Sequence, residues 1–75
     1  MDGDALGERM LDLLMKDIKH ATFPSVTMMN RVEAALTSPD QLGEYAEILL
    51  EKVESARFPS IAMLNRLDAL RARLG

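Results

Sequence analysis

Eight residues between positions 21 and 34 reappear unchanged 35 positions further along the chain. Ala21, Phe23, Pro24, Ser25, Met28, Asn30, Arg31 and Ala34 return as Ala56, Phe58, Pro59, Ser60, Met63, Asn65, Arg66 and Ala69. Val26/Ile61, Met29/Leu64, Val32/Leu67 and Glu33/Asp68 are near-equivalents at the same offset. Such a pattern reads as a tandem duplication of one short unit. Whatever the unit folds into, the chain is expected to build it twice.

Length sets the next constraint. A chain of 75 residues supports one small domain. Domains of this size bury a modest share of their surface and are marginal alone. Small folds compensate with disulfides, a metal or association. There is no cysteine, which removes disulfides and thiolate metal ligands. His20 is the single histidine and its repeat-mate is Ser55, so no imidazole cluster is expected. Association remains, and no cofactor or metal is expected.

Charge narrows the partners. The formal charge of −3 opposes binding along a nucleic-acid backbone, which calls for clustered Lys and Arg. Met1-Asp2-Gly3-Asp4 lacks the basic start of a secretory signal. No apolar run approaches the ~20 residues that span a bilayer. Absence of cysteine fits a reducing compartment. The expected setting is therefore the cytoplasm, without a membrane.

In chain order, residues 4 to 21 carry Leu6, Met10, Leu13, Leu14, Ile18 and Ala21 at three- and four-residue steps. That period predicts a helix with this stripe inward. Asp4 is the expected N-cap. Pro24 forces Phe23 out of helical geometry, and Ser25 is placed to cap a second helix over about 25 to 37. Its expected inward residues are Met28, Met29, Val32, Ala35 and Leu36. Ser38-Pro39-Asp40-Gln41 has the pattern of a capping box, with proline in the first turn. A third helix follows to about Ala56, with Leu42, Tyr45, Ala46, Leu49, Val53 and Ala56 inward. Phe58-Pro59-Ser60 repeats the corner. Met63, Leu64, Leu67, Leu70 and Leu74 line a fourth helix.

The predicted fold is all-α: four helices as two tandemly repeated αα-hairpins packed about a pseudo-twofold axis. One helical domain spans 1–75, with repeat 1 at about 4–37 and repeat 2 at about 39–74. The period is near that of helical solenoid units. The Trp-Leu-Gly-Tyr pattern of tetratricopeptide units is absent, and two units are few for a stack. Two hairpins closing on each other, as a fused dimer would, is the simpler solution.

Candidate functional residues fall into three sets. Phe23 and Phe58 are expected to plug the core at the corners, since large apolar side chains are usually buried. Asn30-Arg31 and Asn65-Arg66 are polar pairs kept in both copies. Arginine's forked donors suit either a structural contact or a partner. Leu11, Met15, Ile48 and Leu50 flank the main stripes and widen the apolar faces of the long helices. A helix in a two-layer hairpin needs one apolar stripe, so this surplus is assigned to an interface between chains. Opposed charges add a further hint: Lys16 is matched by Glu51, Asp17 by Lys52 and Lys19 by Glu54, each with its sign reversed.

No nucleophile–base pair, calcium loop or phosphate-cradling glycine loop is present, so the chain is not expected to be an enzyme. The expected function is a non-catalytic protein–protein interaction or self-assembly module, a homodimer or larger, with another protein as a further partner. The alternative is a small DNA- or transcription-associated regulator. It would use the corner as a helix-turn-helix-like reader, with Arg57, Arg66, Arg71 and Arg73 as its basic patch.

Overall fold

Each helix start is marked by a short polar side chain that accepts a backbone N–H three residues on. The computed structural model describes residues 1–58 and 60–75. It contains four helices and, among these residues, no strand: α1 (Gly3–His20), α2 (Val26–Ala35), α3 (Pro39–Ser55) and α4 (Ile61–Leu74). Asp2 caps α1 by accepting from the Ala5 N–H at 2.7 Å. Ser25, Ser38 and Ser60 cap α2, α3 and α4 through their hydroxyls. The expected cap of α1 was Asp4; the helix starts earlier, and Asp4 sits in its first turn. There its charge complements the positive end of the helix dipole.

The Ser38 corner departs from a reciprocal capping box in one bond. Ser38 Oγ accepts from the Gln41 N–H as expected. Gln41 Oε1 accepts from the N–H of Thr37 rather than that of Ser38, and from the Thr37 hydroxyl as well. The side chain thus ties down the residue before the cap.

Both long helices stop at an extended alanine. Ala21 (ψ 132°) ends α1 and Ala56 (ψ 137°) ends α3, in each case before the following proline is reached. The part of the second corner that falls on Pro59 lies outside the described residues.

The chain divides into two compact units, Met1–Leu36 and Thr37–Gly75. In the first, α1 packs against α2; in the second, α3 packs against α4. The buried side chains of the first unit are Leu11, Met15 and Ile18 of α1 with Met29, Val32 and Leu36. Those of the second are Leu42, Tyr45, Ile48 and Leu49 of α3 with Leu70 of α4.

This core departs from the expected one at Ala35, Ala56, Leu64 and Leu74, which were expected inward and are exposed, and in two further places. On α1, Leu11, Met15 and Ile18 are buried, whereas Leu6, Met10 and Leu13 are exposed. Both sets have four- and three-residue steps, and they lie five positions apart, ~140° around the helix. Periodicity identifies two apolar stripes but does not say which one meets the neighbouring helix. Leu11, Met15 and Ile48, assigned to an interface from sequence, are core residues; Leu50 alone of that set is exposed. The second correction concerns the corners. Phe23 is 91% exposed and Phe58 82%, although both were expected to be buried. The cores are formed by helix faces, and a corner residue lies beyond the helix ends. At the first corner the half-buried residue is Pro24 instead.

Candidate interaction surfaces

The first corner presents more than a phenylalanine. Ser25 opens α2 with Val26 at its first position, and Val26, like Phe23, is exposed. Asn30 follows one helical turn later, also exposed. The second corner presents Phe58, Ile61 and Asn65 in the same register, all exposed. An aromatic residue, a β-branched residue and an asparagine are thus exposed at matching positions in both halves. The two corners differ in one respect. Arg57 places its guanidinium 5.7 Å from the centroid of the Phe58 ring, a cation–π contact worth about 0.5–1 kcal/mol at an exposed site. The first corner has Thr22 at the matching position.

A second apolar surface runs along α1. Leu6, Met10 and Leu13 are all exposed, Leu13 most of all at 64%. A shallow groove along the same helix is lined by Arg9, Asp12, Leu13 and Lys16. Sequence reasoning missed this surface because it assigned these three side chains to the core. The signal available was the presence of two helical stripes on one helix, one more than a hairpin uses.

The exposed face of α3 has the opposite character. Asp40, Glu44, Glu47, Glu51 and Glu54 are all exposed and carry negative charge along one side of the helix. Leu50 lies at the edge of that face.

The polar pairs repeated in the two halves are placed unequally. Asn30, Arg31 and Asn65 are exposed, and Arg66 is half-buried. Of the arginines grouped as a basic patch, Arg57 lies over Phe58 and Arg71 pairs with Asp68 at 3.2 Å. That pair is well exposed on both sides and therefore contributes little to stability. Arg73 is exposed in the last turn of α4, where positive charge complements the helix dipole.

Among the described residues, no group of three or more His, Cys, Asp or Glu side chains is arranged to hold a metal ion. Among the described residues, too, no helix is long and apolar enough to cross a membrane. Comparison with protein-family models, with curated proteins and with solved structures finds no match.

Proposed function

We propose that this chain is a non-catalytic interaction module that associates with itself. The observation that carries this reading is the balance between its inside and its surface. Eleven large apolar side chains are exposed among the described residues, as many as form the buried core. Scattered exposed leucines are ordinary, but a concentration of large apolar residues on a small protein marks a contact surface. The two most exposed aromatics stand at matching positions of the sequence repeat.

In this reading the repeat is a duplication of one helical hairpin, and the halves are related by a pseudo-twofold axis. A fused pair of hairpins keeps the self-complementary surfaces through which separate copies would pair. The absence of cysteine suits a reducing compartment such as the cytoplasm.

Light scattering on the native chain and on a Phe23→Ser/Phe58→Ser variant tests the proposal. The native chain is expected to show at least a dimer mass at micromolar concentration. The variant is expected to keep its helical content, because both rings are exposed, and to lose mass if the corners are part of the contact. A native monomer mass throughout that range would refute the reading.

A further inference from the structure

We draw no further inference here: the strongest candidate, the exposed apolar stripe of Leu6, Met10 and Leu13 along α1, is an unpartnered helix face, and nothing in the structure shows what covers it.

Discussion

Phe23 and Phe58 show how an amino-acid preference can mislead at a single position. Burying phenylalanine is favourable, and a chain with two of them at matching corners invites the conclusion that both anchor the core. Position decides otherwise: each follows the extended alanine that ends a long helix and lies beyond the faces that pack. The energetic consequence is large. A buried phenylalanine costs about 3–5 kcal/mol when cut to alanine. An exposed one changes stability by about 0.5 kcal/mol or less. Phe23→Ala and Phe58→Ala should therefore unfold in urea at nearly the native midpoint when measured at low protein concentration. Leu49→Ala and Ile18→Ala, both fully buried, should each cost about 2–5 kcal/mol by the same measurement. A destabilised Phe23→Ala would place that ring inside a packed region and weaken its assignment to a contact surface.

At the scale of the element, most of the helical structure was legible and the facing was not. The serine caps are local chemistry. A hydroxyl at the right position accepts a free backbone N–H whatever the rest of the chain does, so Ser25, Ser38 and Ser60 could be assigned from their neighbours alone. Asp4 was mistaken for a cap because Asp2, two residues earlier, offers the same carboxylate chemistry. Which stripe of α1 turns inward is a tertiary matter. Leu6, Met10 and Leu13 satisfy the helical period as well as Leu11, Met15 and Ile18 do, and the choice is made by α2 through Met29 and Val32. The candidate interface read from sequence was therefore displaced to the opposite stripe of the same helix. The caps also yield a graded prediction. Ser25 Oγ accepts at 3.0 Å and Ser60 Oγ at 3.4 Å, the latter near the limit for a useful hydrogen bond. Ser25→Ala should cost about 1 kcal/mol, and Ser60→Ala less. Ser38→Ala should cost more than Ser60→Ala, since Ser38 is half-buried and bonds at 3.2 Å. Thermal melting of the three variants orders them.

For the whole molecule, the central claim is that a small chain with a limited core completes its burial by association. Among the described residues, as many large apolar side chains are exposed as are buried. The sequence has no cysteine, and among the described residues no group of three or more His, Cys, Asp or Glu side chains is arranged to hold a metal ion. Association stabilises the folded state by mass action, so the apparent stability of a dimer depends on its concentration. The measurement that tests the claim most directly is the melting temperature of the native chain over a hundredfold or greater range of concentration, followed by circular dichroism. The account predicts a midpoint that rises steadily with concentration, together with a mass that shifts from monomer towards dimer over the same range. A midpoint that stays constant while the mass remains that of a monomer would contradict it.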